Sequence, residues 1–257
     1  MGDQGQRKAR ESEPALAGLQ DLALCQLLTL ADSALPIGGL AQSFGLEQAV
    51  ASGQVHPGNL RHYVESWCDE SLRFEAAYCA AGHRLARDAA ASQGDGAPDA
   101  RWRELNERLS AFKIGRESRV ASLRLGGRLL ELAEGFSCDM PNGDVHGGCP
   151  GRRSWLGGGG HLAPAFGVVA ARLGIGERAA LVGFSSQSVA ALVSAAQRLM
   201  PLGQKAAMEL IWRMKPCLAA IAAEIAAAEV DETLCFCPAV EVASMAHPYL
   251  PVRLFLS

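Results

Sequence analysis

The chain has 257 residues, 49% of them hydrophobic and 20% charged, with a formal net charge of −3. That length can bury one substantial core or two small ones, and the balance of charge does not suggest a nucleic-acid binder. Alanine and leucine dominate while aromatics reach only 6%, which leans toward an all-α protein because these two residues are strong helix formers.

Residues 1–13, MGDQGQRKARESE, are polar, carry both charge signs and lack the apolar stretch of a secretory signal. They are expected to form a disordered tail on a cytoplasmic protein. Residues 14–31 place Leu16, Leu19, Ala23, Leu27 and Leu30 on one helical face. The apolar stretch 31–47, ADSALPIGGLAQSFGLE, is broken by Pro36, Gly38 and Gly39. Proline fixes a bend there, and the glycines permit backbone angles closed to other residues. Asp32 and Ser33 can bond to exposed backbone donors just before it. Ser43 is expected to cap a short helix running to Val50. Asn59 is expected to cap the next, in which Leu60, Tyr63, Val64, Trp67, Phe74 and Tyr78 recur at helical spacing toward Arg87.

Residues 91–100, ASQGDGAPDA, read as a loop. Trp102, Leu105, Leu109 and Phe112 then form one helical stripe, and Leu123, Leu125, Leu129 and Leu132 a second. Residues 136–160 are so rich in glycine that ordering them costs more entropy than their few apolar groups return. They are expected to be a mobile loop, and they lack the Gly-Lys-Ser/Thr signature of a phosphate loop. From His161 to about Glu229 the pattern is helical again, broken at Pro201. Leu210, Met214, Leu218, Ile221 and Ile225 share one face of a last long helix, kinked or restarted at Pro216. No period-two alternation is convincing, so the expectation is a single compact all-α domain over 14–257, of roughly eight to ten helices. No run of about eighteen apolar residues is free of charges and breakers, so no membrane span is expected.

Residues 231–257 form an apolar tail with three prolines, ending Arg-Leu-Phe-Leu-Ser. Tyr249, Leu250, Leu254, Phe255 and Leu256 together represent several kcal/mol at ~25 cal/mol per Å². The tail is therefore expected to dock on its own domain or on a partner.

The search for chemistry finds no HExxH, no CxxC and no zinc spacing among six histidines and eight cysteines. His62, Glu65 and Asp69 share a helix face, which reads as a solvated face rather than a metal site. His146 with Cys149, and Cys235 with Cys237, could touch a soft ion. Buried thiols are the favoured reading of the second pair, and two ligands on a floppy loop bind weakly. GxSxG is absent, and Ser185, Ser186 and Ser188 look like helix-packing residues. No catalytic residue, no metal site and no tightly bound cofactor is expected.

Three segments in order resemble one known family. ADSALPIGGLAQSFGLE is similar to the N-terminal signature of the UreF urease accessory proteins. Residues 194–204, SAAQRLMPLGQ, and residues 237–257, with Ser244-Met245-Ala246-His247 and the closing Arg253-Leu254-Phe255-Leu256-Ser257, resemble two further segments of that family. Residues 121–133 and 161–175 fit as well. Leu40, Gln42 and the run 206–209 depart from the family pattern, and 140–160 looks like an insertion. The resemblance implies a dimeric, all-α accessory protein that is not itself an enzyme. It implies a bridge between UreD (also called UreH) and the GTPase UreG, for GTP-dependent nickel insertion into apo-urease, with nickel only in transit. The candidate partner-binding residues are Ser43, Glu47, Arg198, Gln204, His247, Tyr249, Arg253, Leu254, Phe255 and Ser257. Arg253 reads equally as an anchor for a partner carboxylate or as a cap on one of its own helices, and Arg198 leans toward internal pairing. The alternative is a stand-alone nickel-binding protein using His146, Cys149, Cys235 and Cys237.

Overall fold

The computed structural model describes residues 20–91, 97–136, 159–228 and 238–257, and no strand occurs among them. Helix α1 covers 20–30, followed by turns and a short 3-10 segment, Gly39–Ala41. Then come α2 (Leu46–Ala51), α3 (Leu60–Trp67), a π-helical turn (Cys68–Leu72) and α4 (Arg73–Ala91). The order continues with α5 (Ala97–Phe112), α6 (Arg116–Phe136), α7 (Leu162–Arg172), α8 (Glu177–Leu199) and α9 (Gln204–Ala227). Helix α10 (Pro238–Ala246) and a 3-10 turn, His247–Tyr249, lead into an irregular final segment. The fold is thus a single all-α unit, as the composition implies. The proposed tail 1–13 lies outside the described residues, as does most of the loop proposed for 136–160: Phe136 ends α6, and Gly159 and Gly160 precede α7.

Helix α7 sits at the centre. Every residue from Ala163 to Ala170 is buried, which requires neighbours on all sides. Glycines and alanines make room for them. A Cβ on Gly167 would stand 1.9 Å from the carbonyl oxygen of Cys79 in α4, and one on Gly82 of α4 would stand 2.2 Å from that of Pro164 in α7. On another side, Gly126 of α6 faces the carbonyl of Gly160 at 2.1 Å from its would-be Cβ. Phe166 then meets Phe184 of α8 edge to face, with ring centroids 5.5 Å apart.

Helix α8 is long and apolar enough, by length and a hydropathy of 1.5, to cross a membrane. Its Leu181, Phe184, Val189, Leu192 and Val193 are instead buried against its neighbours, as expected of a core helix. The predicted stripe on α9, Leu210, Met214, Leu218, Ile221 and Ile225, is buried throughout. The helix runs unbroken through Pro216 rather than restarting there. Its C-terminal carbonyls are closed by Arg84, which donates to Ile225, Ala226 and Ala228 and pairs with Glu177 at 2.8 Å. A guanidinium there complements the negative end of the helix.

Local details differ from the sequence reading. The π turn makes the run from Leu60 to Tyr78 something other than one straight helix, and it turns Cys68 and Leu72 inward. Residues 97–100 are helical rather than loop, because Pro98 needs no partner for a missing N–H in a first turn and Asp99 favours the positive helix end. Leu123 is exposed while Leu125 and Leu129 are buried, so it lies off the inward stripe. Asn59 does hold the N-cap position of α3 but spends its side chain on the His56 N–H and the Gln54 carbonyl.

The α4–α7 crossing leaves no room for a methyl group. Gly167→Ala is expected to cost about 3 kcal/mol or more by overpacking against backbone. Gly127→Ala, where nothing lies within 4 Å, is expected to gain about 0.5–1 kcal/mol from helix propensity. Urea denaturation of both variants measures the contrast.

Candidate functional site

The interrupted stretch after α1 builds a seat for the end of the chain. Leu35 and Ile37 are buried and anchor the bend. Gly38 turns with φ of 88° beneath Arg128, whose Nη1 donates to the Ile37 carbonyl at 3.0 Å and stands 2.9 Å from any Cβ added at Gly38. Gln42 is extended. Phe44 and Gly45 then both adopt left-handed angles, 56° and 81°. For phenylalanine this costs on the order of 1 kcal/mol, offset by the contact of its half-buried ring with the buried Trp67, ring centroids 6.0 Å apart. The double turn starts α2 and buries Glu47 in its first turn. Gly45, not Ser43, holds the N-cap position, and the Ser43 hydroxyl donates instead to the Ser257 carbonyl at 2.7 Å.

The final segment lies along this seat. Leu256 N–H donates to the Ala41 carbonyl at 2.9 Å, and Ser43 N–H donates to the Ser257 carbonyl at 2.6 Å. The Ser257 hydroxyl donates to Gln42. Glu47 receives the Leu254 and Phe255 amides at 2.6 and 3.2 Å. Phe255 drops into the core, 4% exposed, beneath the Arg198 guanidinium, which sits 4.4 Å from the ring centroid and donates to the Leu40 carbonyl. His247, with no exposed surface, bridges two helices: Nε2 is 2.7 Å from Glu47 of α2, and Nδ1 is 2.6 Å from Glu117 in the first turn of α6. Glu117 also takes Arg253 at 2.8 Å.

Of the residues singled out in the sequence, Ser43, Glu47, Arg198, His247, Arg253, Leu254, Phe255 and Ser257 converge here. Ser43, Glu47, His247, Phe255 and Ser257 are buried within the chain, whereas Leu254 and Tyr249 project outward, 65% and 86% exposed. Gln204 stands apart, exposed at the start of α9 beside the exposed Met208 and Trp212. Sequence reasoning passed over Glu117 and marked Gln42 only as a departure from the family pattern. An acid in a helix's first turn is ordinary, and only the fold brings Glu117 to residues more than a hundred positions away.

The two nitrogens of His247 face opposite carboxylates, so the trio is a hydrogen-bonded bridge and not a common ligand set. Among the described residues no three His, Cys, Asp or Glu side chains gather to hold a metal. Glu65 pairs with Arg61, and Asp69 with Arg73. Burial pushes the Cys68 thiol up to about 12, which disfavours the thiolate that metals and electrophiles need. His146, Cys149, Cys235 and Cys237 lie outside the described residues.

One pair has the outline of a nucleophile and base: Ser110 Oγ lies 2.8 Å from His161 Nε2. Burial, then Lys113 and Arg119, lower the imidazole to about 3, and its Nδ1 has no carboxylate to orient it. Such a ring is a poor base. The pair is structural. Asn106 accepts the His161 N–H, and Trp102 donates to Gly159, so this corner fastens α5 to the start of α7.

Comparison with known proteins adds a consistent set of likenesses. The UreF family model matches residues 55–215. A urease accessory protein UreF of Nostoc sp. is 29% identical over 241 residues, covering 93% of this chain and 98% of that protein. Proteins of the same name from Chromohalobacter salexigens and an Arthrobacter species are 31% and 30% identical, covering 92% and 95% of the chain and 95% and 100% of their own lengths.

Removing the Glu47 carboxylate strips His247 and two tail amides of their acceptor. Glu47→Ala is expected to cost about 3–5 kcal/mol in denaturant titrations. His161 supplies a separate pH signature. Its ring is neutral in the fold where the unfolded ring is charged. The stability this gives is whole above pH 6.5 and is lost as pH falls toward 3. Thermal melts across that window should follow a slope approaching ~1.4 kcal/mol per pH unit, and His161→Gln should flatten it.

Proposed function

The chain belongs to the UreF family of urease accessory proteins, which are not themselves enzymes, and on that premise we propose that it acts in the cytoplasm as a homodimeric scaffold for urease maturation. In this reading it bridges UreD/UreH and the GTPase UreG while GTP-dependent nickel insertion into apo-urease proceeds. Nickel passes through the assembly and is not a resident cofactor of this chain.

The observation that supports a docking role is the rim of the C-terminal seat. Val242 and Met245 on α10, then Tyr249, Val252, Leu254 and Leu256, are large apolar side chains left more than half exposed. Their neighbours Phe255 and Ser257 are buried, so the backbone beneath the rim is fixed. An apolar strip of this extent on a fixed support is the usual mark of a protein-binding surface. Arg253 adds a half-exposed guanidinium already paired with Glu117, a group suited to share a partner carboxylate. The buried partners of His247 and Phe255 hold this rim in shape, and direct partner contact is assigned to Tyr249, Arg253 and Leu254. Gln204, beside Met208 and Trp212, offers a second, separate contact.

The double variant Tyr249→Ala/Leu254→Ala removes rim area without touching the seat. It should weaken capture of UreD/UreH or UreG about tenfold or more and slow urease activation in a reconstituted assay, with an unchanged melting temperature. Full capture and full activation by this variant would remove the rim from the docking role.

A further inference from the structure

The hydrogen bonds at the seat fix its proton count. Glu47 receives the Leu254 N–H on Oε1 and the Phe255 N–H on Oε2. Two backbone amide donors aimed at its oxygens favour the charged form, so Glu47 is taken as a carboxylate. Glu117 receives the Arg253 guanidinium on Oε1 and is a carboxylate too. Carboxylates only accept. Each ring nitrogen of His247 faces one of them, at 2.7 and 2.6 Å, so each nitrogen carries a hydrogen. A neutral imidazole has one N–H and would turn a bare lone pair toward a carboxylate in a fully buried site, a costly arrangement.

We infer that His247 is held as the imidazolium and that its second proton keeps the C-terminal segment seated, so that the apolar rim is displayed in its fixed form only while that proton is bound. With the proton present, the two glutamates are balanced by His247 and Arg253. Without it, two carboxylates share one guanidinium, and one of the two bonds joining α2 and α6 through the ring is lost. Other charged groups around the seat have separate partners: Arg198 of α8 lies over Phe255 and bonds to Leu40, and Glu241 of α10 accepts the Gly115 N–H at 3.2 Å. The released elements are those that carry the rim, because the Leu254 and Phe255 amides hang on Glu47. The regulatory meaning of this seat rests on the docking role proposed above, while the proton itself does not.

Nitrogen-15 NMR of the full chain reads both halves of the inference. At neutral pH both His247 ring nitrogens should resonate as protonated. As pH is raised until the ring loses its proton, hydrogen-exchange protection of the Leu254 and Phe255 amides should fall about tenfold or more, with the helical circular dichroism retained. His247→Gln, which has a single donor group, should show the same loss already at neutral pH. A neutral ring at pH 7 with both amides protected would overturn the inference, and so would protection that persists after the ring deprotonates. If the substituted chain fails to fold, the titration of the unsubstituted chain still decides. Partner capture followed across the same titration separates the two ideas. Capture that ignores a confirmed unseating defeats the docking role and leaves the proton-held seat standing.

Discussion

The architecture depends on backbone meeting backbone where α4 crosses α7. Gly82 and Gly167 let the chain at Cys79 and the chain at Pro164 approach to distances that any side chain would prohibit. A helix of eleven residues can then be wrapped on several sides. Close approach of this kind gains many weak dispersion contacts at once, and it fixes α6 and α8 relative to α4. The first turn of α6 carries Glu117, and α8 carries Arg198. The seat for the final segment thus inherits its geometry from a contact elsewhere in the core that contains no functional group.

The seat itself mixes two kinds of interaction. Phe255 contributes apolar burial, which is insensitive to direction. Glu47, Glu117 and His247 contribute bonds that are satisfied in one arrangement only. Buried ion pairs are weak sources of net stability, since desolvation takes back most of the attraction. They are effective at rejecting alternatives, because a misplaced segment would leave charges unpaired. The division of labour follows: the apolar core makes the segment stay, and the hydrogen-bonded bridge decides where. That certainty of position allows Tyr249, Val252, Leu254 and Leu256 to stand in water as a defined surface.

Much of this was legible in the sequence. The five inward residues of α9 followed from helical spacing alone, and the apolar end of the chain announced that it had to be covered. The break at Pro36, Gly38 and Gly39 was also visible, though its role as one wall of the seat was not. The missing parts share a cause. The π turn at Cys68–Leu72 shifts phase by less than spacing arguments resolve. Leu123 looked inward because leucine is apolar, yet its position on α6 is set by neighbours. Glu117 and Gln42 are ordinary polar residues until the fold brings them to the tail, and no local pattern encodes a meeting across the length of the chain. His146, Cys149, Cys235 and Cys237 lie outside the described residues and stand as sequence-based candidates.

The hydrogen bond from Ser43 to Ser257 spans 214 positions. Closing a loop of that length costs chain entropy before any contact at the seat returns it. Without Leu254 and Phe255 in place, Glu47 has no tail amides to receive and the rim has no support. A contact of this sequence separation forms readily only once the helices between its two halves have packed, so the seat reports on the assembly of the whole core between them.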